Sequence, residues 1–215
     1  MNRVLRYLFF NFFVRPVVTI VLGLNVRNRE RLPNDGPAVL VANHNSHLDT
    51  MVLMVLFPWG MLPKLRPVAA ADYFFRSRFW KWFSLNIIGI IPLDRDAKRG
   101  GGKQHPMAPI SESLARGDIV ILFPEGSRGD PERMGEFKSG VAHLAKLHPD
   151  VPFYPIFMHG LGKALPKGEK LLVPFFCDVF IGEPLRYAGD KAAFTTAVGD
   201  SIAALAAEGR FEPWE

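Results

Sequence analysis

A histidine and a carboxylate five residues apart follow an apolar run in the first quarter of the chain. The run Ala38–Ala42 is typical of a buried strand, and His44 and Asp49 come directly after it. An imidazole beside a carboxylate can act as a general base, because the carboxylate selects the tautomer whose other ring nitrogen accepts a proton from a substrate hydroxyl. A simpler interpretation is that Asp49 is a first-turn carboxylate that stabilises a helix through its dipole.

The spacing of this pair restricts the backbone around it. Five residues on a continuous helix turn about 140° away from the same face, so the two side chains meet only if His44 lies in a loop and Asp49 near the start of the next helix. Ser46 is a candidate N-cap for that helix, which the apolar residues 48–57 predict. His44 and His47 also suggest a metal pair, but no Cys cluster or third ligand at metal spacing accompanies them, and we expect no metal.

The composition indicates one globular domain. The chain has 215 residues, of which 48% are hydrophobic and 22% charged, enough to form a sizeable core. Its single cysteine, Cys177, is typical of a reducing compartment. Residues 1–100 contain fourteen Lys/Arg and six Asp/Glu, a net of +8, whereas the remainder contains twelve and fifteen, a net of −3. The basic half is also the more aromatic, a combination that suggests an anionic membrane surface, nucleic acid or an acidic substrate. Nucleic acid is disfavoured, because the sequence has no helix-turn-helix, zinc-finger or RNA-binding signature.

Two segments of the basic half predict contact with a membrane. In residues 4–24 the longest apolar stretch is residues 17–24, far short of the roughly 20 residues that a spanning helix needs. We therefore expect an interfacial helix whose arginines reach the head groups. Residues 73–83 hold seven aromatic and three basic residues, a composition favoured at the head-group layer. The alternative for each segment is a helix packed on the protein's own core.

From residue 25 onward, short apolar runs alternate with helix-like segments. The predicted strands are residues 39–42, 66–69, 87–91, 118–123, 152–157 and 171–181, and the predicted helices are residues 50–57, 77–84, 106–116, 139–147 and 191–208. The alternation predicts an α/β fold, a single-domain sandwich with a mostly parallel central sheet flanked by helices, plus an N-terminal membrane-interfacial helix. We expect residues 1–24 to associate with the membrane and residues 25–215 to form the folded domain.

Functional residues in such folds gather beyond the carboxyl ends of strands, and four strands here are predicted to end in polar or turn residues. The predicted ends are Asn43-His44, residues 92–95, residues 124–128 and Tyr154-Pro155. Each of them lies in one of four sequence blocks. The blocks are Asn-His-x4-Asp from Asn43 to Asp49, Gly89-Ile-Ile-Pro-Leu-Asp-Arg95, Phe123-Pro-Glu-Gly-Ser-Arg128 and Val151-Pro-Phe-Tyr-Pro-Ile156. In order and spacing these blocks resemble the glycerolipid acyltransferases of the lysophosphatidic acid acyltransferase type. The resemblance covers roughly residues 25–185 and identifies residues 25–215 as an acyltransferase domain.

The resemblance implies transfer of a fatty acyl chain from acyl-CoA or acyl carrier protein to a hydroxyl of a lysophospholipid, with 1-acyl-glycerol-3-phosphate as the first candidate acceptor. It implies His44 as the general base and Asp49 as its orienting partner. It assigns acceptor binding to Arg95, Glu125, Gly126, Ser127 and Arg128, and a guanidinium suits a phosphate group. The substrate hydroxyl then replaces a protein nucleophile, and no cofactor is needed beyond the acyl donor as co-substrate. An alternative for Arg128 is a salt bridge to Glu125 or Asp130.

The resemblance further implies a peripheral or monotopic enzyme of phospholipid biosynthesis at the cytoplasmic face of the cell membrane, in contact with membrane lipids. One departure leaves the acceptor open. Many phosphatidate-forming relatives carry a lysine near residues 68–72, whereas no lysine lies between Arg66 and Arg76 here. A second candidate acceptor is therefore another lysolipid, such as a lyso-aminolipid.

Two other classes of function are compatible with the same residues. One is a catalytically silent lipid-binding protein on the same fold, which the intact His44, Asp49, Glu125 and Arg128 disfavour. The other is a hydrolase in which His44 activates water. The chain has no Gly-x-Ser-x-Gly elbow, so a serine hydrolase is disfavoured.

Overall fold

The computed structural model describes residues 2–71, 77–93, 106–129, 132–165 and 171–211. Strands in these ranges form one sheet in the order β1-β7-β6-β2-β5-β3-β4. The strands are β1 (Leu24–Arg27), β2 (Ala38–Ala42), β3 (Leu65–Ala70), β4 (Ile91–Leu93), β5 (Ile119–Leu122), β6 (Phe153–His159) and β7 (Cys177–Ile181). Each pairing is parallel except the antiparallel pair β6 and β7. The predicted α/β class with a mostly parallel sheet is confirmed.

Helices cover both faces of this sheet. They are α1 (Arg3–Val21), α2 (Leu48–Val55), α3 (Arg78–Phe83), α4 (Ala108–Ala115), α5 (Gly140–Leu147), the short α6 (Leu161–Ala164) and α7 (Lys191–Gly209). The central strand β2 is buried along its whole length. Successive side chains of β2 point to opposite faces of the sheet. Leu40 packs in a core shared with α1 and α2, whereas Val39 and Val41 pack in a second core shared with α4, α5 and α7. Strand β2 therefore holds the loop that follows it between two packed layers.

Helix α1 lies along the domain with one face in the core. Its buried residues recur every fourth position, at Arg6, Phe10, Val14 and Val18, and Leu22 continues the spacing just after the helix. A repeat of four would drift around an α-helix of 3.6 residues per turn. The helix takes π-type turns over Phe9–Val14 and Val17–Val21, which are wider and keep the stripe on one side.

The other face of α1 is exposed. Phe12 and Ile20 are 74% and 79% exposed. Within the described ranges α1 is the one helix whose length and composition would let it cross a membrane. Its interfacial placement stays a prediction, as does the division of the chain at residue 24.

Several predicted elements differ from the observed ones. The strand expected at residues 87–91 begins only at Ile91, because Ile87 and Ile88 belong to a π-turn, Ser84–Ile88, that extends α3. The strand expected at residues 171–181 is regular only over Cys177–Ile181. Strand β1 was not predicted, because its alternating burial at the sheet edge leaves half of its side chains exposed and polar. The remaining predicted strands and helices are present, with their ends shifted by a few residues.

Candidate active site

The loop after β2 is anchored to the neighbouring strand β6 by Asn43. Its buried side-chain amide donates to the carbonyl of Met158 at 2.8 Å, and its carbonyl oxygen accepts from the Met158 N–H at 2.7 Å. These two bonds take the place of backbone hydrogen bonds between β2 and β6 where the backbone of β2 turns away. The sequence alone predicted no separate role for Asn43. The structure shows that it sets the point from which the next residue, His44, projects.

His44 and Asp49 meet as the sequence predicted. His44 lies in the loop, Asp49 lies in the first turn of α2, and Nδ1 of the imidazole is 2.9 Å from Oδ2 of the carboxylate. With Nδ1 as the donor, Nε2 is left as the acceptor. The His44 side chain is 19% exposed and that of Asp49 only 1%, so the carboxylate is inaccessible while the imidazole reaches the solvent side. This arrangement fits a general base held by a carboxylate behind it.

The Asp49 carboxylate also orders the loop. Its Oδ2 accepts from the backbone N–H of Asn45 at 2.7 Å and of Ser46 at 2.9 Å, in addition to the imidazole. Burial raises the pKa of Asp49, although these hydrogen bonds and the one from His44 act in the opposite direction. Asp49 is thus more than a first-turn helix carboxylate, because one of its oxygens joins the imidazole to the loop backbone.

The expected N-cap differs slightly from the observed one. Helix α2 begins at Leu48 with His47 in the N-cap position, one residue after Ser46. The Ser46 hydroxyl still accepts from the Leu48 N–H at 3.3 Å, and it donates to the carbonyl of Leu165 at 2.9 Å. Ser46 therefore supports the first turn and ties it to the segment after β6, although Asp49 supplies most of the loop's hydrogen bonds.

Glu125, in the loop after β5, fixes the backbone of His44 by a hydrogen bond. Its Oε1 accepts from the His44 backbone N–H at 2.9 Å, and its Oε2 accepts from the Gly135 N–H at 3.1 Å. The His44 carbonyl accepts from the Gly129 N–H at 3.0 Å, and the imidazole stacks on Phe123 with ring centroids 4.1 Å apart. Burial raises the pKa of Glu125, against the effect of its backbone hydrogen bonds. The structure thus places Glu125 where it shapes the loop around His44.

A cavity of about 660 Å³ opens beside His44. Its polar end is lined by His44, His47, Ser127, Arg128 and Lys138. The rest of its wall is mostly apolar and comes from helices α1 to α5, the ends of β3 and β5, and Leu93 of β4; typical lining residues are Phe9, Val17, Phe83 and Ala69. A cavity of this size and lining suits an elongated apolar ligand with one polar end.

The residues predicted to bind the acceptor are placed in three ways: in the cavity wall, outside the described residues and, for Glu125, on the backbone N–H groups of His44 and Gly135. Gly126, Ser127 and Arg128 line the polar end of the cavity, and Gly126 has a positive φ of 70° that favours glycine. Arg95 lies outside the described residues, so its contact with the acceptor stays a prediction; Asp130, the alternative salt-bridge partner of Arg128, lies outside them too. Within the described ranges, no three His, Cys, Asp or Glu side chains form a group suited to a metal ion.

His47, which the sequence left without a role, lines the same polar end. Burial, with a further contribution from the positive charges of Arg128 and His44, lowers the pKa of His47 to about 4. His47 is therefore neutral near pH 7, and it adds polarity to the cavity without adding charge.

The fourth sequence block is part of the sheet. Tyr154 and Pro155 pair with Leu40 and Val41 of β2 in the middle of β6. The prediction that these two residues end a strand is wrong, because β6 continues to His159. Their contribution is to position β2 and, through Met158, the loop that carries His44.

Comparisons with known proteins agree with this arrangement. The profile of the family described as Acyltransferase matches residues 23–159. The mouse 1-acyl-sn-glycerol-3-phosphate acyltransferase alpha is 30% identical over 186 residues, which make up 84% of this chain and 61% of that protein. A lyso-ornithine lipid O-acyltransferase of Rhizobium meliloti is 32% identical over 127 residues, 58% of this chain and 39% of that protein. The chain thus spans less than two thirds of the length of these curated relatives.

A solved structure shares the fold. The crystal structure of the 1-acyl-sn-glycerophosphate (LPA) acyltransferase PlsC from Thermotoga maritima superimposes with a TM-score of 0.73 and covers 95% of this chain and 80% of that one, at 19% identity. At this identity the likeness supports the architecture. The family match spans β1 to β6 and includes the His44–Asp49 pair and the loop of Glu125. The chain therefore belongs to the acyltransferase family.

Proposed function

We propose that this protein is an O-acyltransferase that moves a fatty acyl chain from an acyl thioester to the free hydroxyl of a lysophospholipid. The first candidate acceptor is 1-acyl-glycerol-3-phosphate, which would give phosphatidate. The observation that carries the proposal is a His–Asp pair at the polar end of a large apolar cavity. The names of the mouse and Thermotoga maritima relatives point to the same acceptor.

The proposed reaction needs no protein nucleophile. Nε2 of His44 takes the proton of the acceptor hydroxyl as its oxygen attacks the thioester carbon. The carbon–sulfur bond breaks, the thiol leaves as a thiolate, and the imidazolium returns the proton to it. The buried Asp49 stabilises the imidazolium while it exists, because the negative charge lies 2.9 Å from Nδ1.

Cys177 is not suited to carry the acyl chain. It is fully buried at the start of β7, and burial, together with the charges of Glu132, Asp178 and Asp49, raises the pKa of its thiol to about 12. A thiol is a nucleophile only as the thiolate, which such a pKa suppresses at neutral pH. This supports direct transfer between the two substrates at His44.

The experiment that tests the proposal is a panel of acceptors and donors. Purified protein is incubated with labelled acyl-CoA or acyl carrier protein and with lysophosphatidic acid, a lyso-ornithine lipid, lysophosphatidylcholine or monoacylglycerol, and the lipid products are separated. We expect labelled phosphatidate. Free fatty acid without an acylated acceptor would favour the hydrolase, and an unconsumed donor would favour a silent lipid-binding protein.

A lyso-aminolipid acceptor is the second candidate, and one observation favours it. Ala69 and Ala70 line the cavity at the end of β3, so this part of the wall offers no positive charge to a phosphate. The Rhizobium meliloti relative is named for a lyso-ornithine lipid. Acylation of the lyso-ornithine lipid with no phosphatidate in the same panel would replace the first candidate by the second.

We also propose that the protein binds the cytoplasmic face of the membrane as a monotopic or peripheral enzyme through α1 and α3. The buried stripe of α1 belongs to the domain's own core, so the helix cannot leave the domain to cross a bilayer without exposing that core. Phe83 of α3 packs on Phe9 of α1 with centroids 5.2 Å apart, while Phe79 and Trp80 are exposed beside it. Together the two helices present aromatic side chains outward.

Membrane binding is tested without truncation, since removing α1 would uncover the core. The double substitution Phe12→Ser and Ile20→Ser removes two exposed side chains from α1, and Leu147→Ser removes an exposed apolar side chain from α5 as the matched control. We expect the α1 variant to sediment less with anionic liposomes than the wild type and the control. Equal sedimentation of all three would contradict the proposed surface.

A further inference from the structure

The acceptor subsite is short of positive charge on one side. A phosphate monoester carries about 1.5 to 2 negative charges at pH 7, and one guanidinium compensates only one of them. The wall at the end of β3 is formed by Val68, Ala69 and Ala70, which carry no charge. A second cation must therefore come from another element if this cavity binds a phosphate monoester tightly.

Lys138 reaches the cavity from the segment before α5. Its backbone N–H donates to the carbonyl of Pro124 at 3.0 Å, which runs this segment alongside the loop after β5. Its ammonium lies over Gly126, since a Cβ built on that glycine would be 2.8 Å from Nζ and 3.3 Å from Cδ. The absence of a side chain at Gly126 therefore makes room for the ammonium next to Ser127 and Arg128.

Among the described residues, the charge of Lys138 is not used by a structural ion pair. In the part of the chain that the structure describes, no salt bridge includes Lys138. The nearby carboxylate of Glu125 has both oxygens bonded to backbone N–H groups. Lys138 lines the cavity together with His44 and Arg128, so its positive charge faces the space where the polar end of a ligand would lie.

We infer that Lys138 and Arg128 together form a binding subsite for the phosphate monoester of the acceptor, with Lys138 supplying the second positive charge. This inference rests on the proposed acyltransferase function and specifies its substrate class. An ammonium and a guanidinium on neighbouring segments of one loop can contact different oxygens of the same phosphate. Lys138 is then a specificity-determining residue, since an acceptor without phosphate gains nothing from it.

The phosphates of coenzyme A offer the same chemistry, so the experiment must separate acceptor from donor. Lys138→Gln, Lys138→Arg and the control Lys146→Gln, which removes a lysine from α5 outside the cavity, are compared with the wild type. Steady-state kinetics are measured against lysophosphatidic acid, monoacylglycerol and acyl-CoA. Binding of fluorescent lysophosphatidic acid is measured without donor, and melting temperatures confirm that each variant is folded.

For Lys138→Gln we expect KM for lysophosphatidic acid and the Kd of the fluorescent analogue to rise by roughly tenfold, the loss of one charge-assisted hydrogen bond. We expect kcat, the KM for acyl-CoA and any rate with monoacylglycerol to change by less than about twofold. Lys138→Arg should retain most of the affinity, and Lys146→Gln should match the wild type.

Three results would overturn the inference. They are equal binding of the fluorescent analogue by the wild type and Lys138→Gln, a rise in KM confined to acyl-CoA, and the same loss with monoacylglycerol as with lysophosphatidic acid. The proposed function fails separately, if the wild type transfers no acyl chain to lysophosphatidic acid. The binding measurement decides the role of Lys138 in that case too.

Discussion

Replacing Asp49 by Asn separates the charge of the catalytic pair from its geometry. The Asn carbonyl oxygen can take the place of Oδ2, which accepts from His44, Asn45 and Ser46. The new amide NH2 then occupies the place of Oδ1, which has no hydrogen-bond partner in the described ranges. The loop can thus keep its hydrogen bonds while the negative charge behind the imidazole is lost.

The magnitude follows from the distance. Coulomb's law with an effective dielectric constant of about 20 gives about 6 kcal/mol for unit charges 2.9 Å apart. The amide dipole retains part of this attraction toward the imidazolium. We therefore expect kcat of Asp49→Asn to fall by about 10³-fold, or about 4 kcal/mol in the activation free energy.

Stability should respond differently from activity. Burial raises the pKa of Asp49, which shows that the folded protein disfavours the charged form relative to solvent exposure. A neutral amide at this position removes that cost, so we expect the free energy of unfolding to stay within about 1 kcal/mol of the wild type. Thiol release from acyl-CoA measures kcat, and chemical denaturation measures stability.

The control for this substitution is Asp200→Asn, which removes an exposed carboxylate from α7. A kcat of Asp49→Asn within about tenfold of the wild type would refute a role for the carboxylate charge in the reaction. A large loss of stability together with the loss of activity would also refute it, since Asp49 would then act mainly by holding the loop.

Three further predictions follow from buried or partly buried polar groups. Asn43→Ala leaves the N–H and C=O of Met158 without partners, and we expect the free energy of unfolding to fall by about 2 kcal/mol in chemical denaturation; a loss below about 0.5 kcal/mol would contradict this. Cys177→Ala should keep kcat within about twofold, because the thiol is buried and its pKa is raised to about 12, whereas an inactive but folded variant would indicate an acyl-enzyme. The pKa of His47 is lowered to about 4 from its ordinary value of 6.5, so the unfolded chain takes up a proton that the folded protein does not as the pH falls through this interval. The melting temperature should therefore drop less between pH 7 and pH 4.5 in His47→Gln than in the wild type, and identical drops would argue against a neutral His47.

The sequence predicted most of the local structure, because strands and helices depend on the pattern of apolar and polar residues within short segments. The alternation of apolar runs and helix-like segments predicted the α/β class, and the spacing of His44 and Asp49 predicted a loop followed by a helix start. Where a short apolar run was ambiguous, the prediction was wrong. Ile87 and Ile88 suit a strand as well as a helical turn, and what decides is Gly89, which ends the turn with a φ of 77°.

The candidate site was less predictable, because its parts come from distant segments. The cavity has walls from α1, α3, β3 and the loop after β5, and nothing in a local pattern shows that these elements meet. The anchoring of Asn43 to Met158 and the position of Lys138 over Gly126 likewise depend on strand order and loop packing. The π-type turns of α1 keep its buried side chains on one side, but apolar residues occur all around this helix, so the sequence does not show which of them are buried.

The acyl-transfer rate of His44→Ala tests most directly whether His44 removes the proton of the acceptor hydroxyl. The rate from labelled acyl-CoA to lysophosphatidic acid is compared with that of the wild type at saturating substrates, with melting temperatures as a check on folding. We expect the rate to fall by about 10² to 10⁴-fold, the usual contribution of a general base, in a protein that remains folded. A folded His44→Ala variant that transfers the acyl chain within about threefold of the wild-type rate would contradict the account.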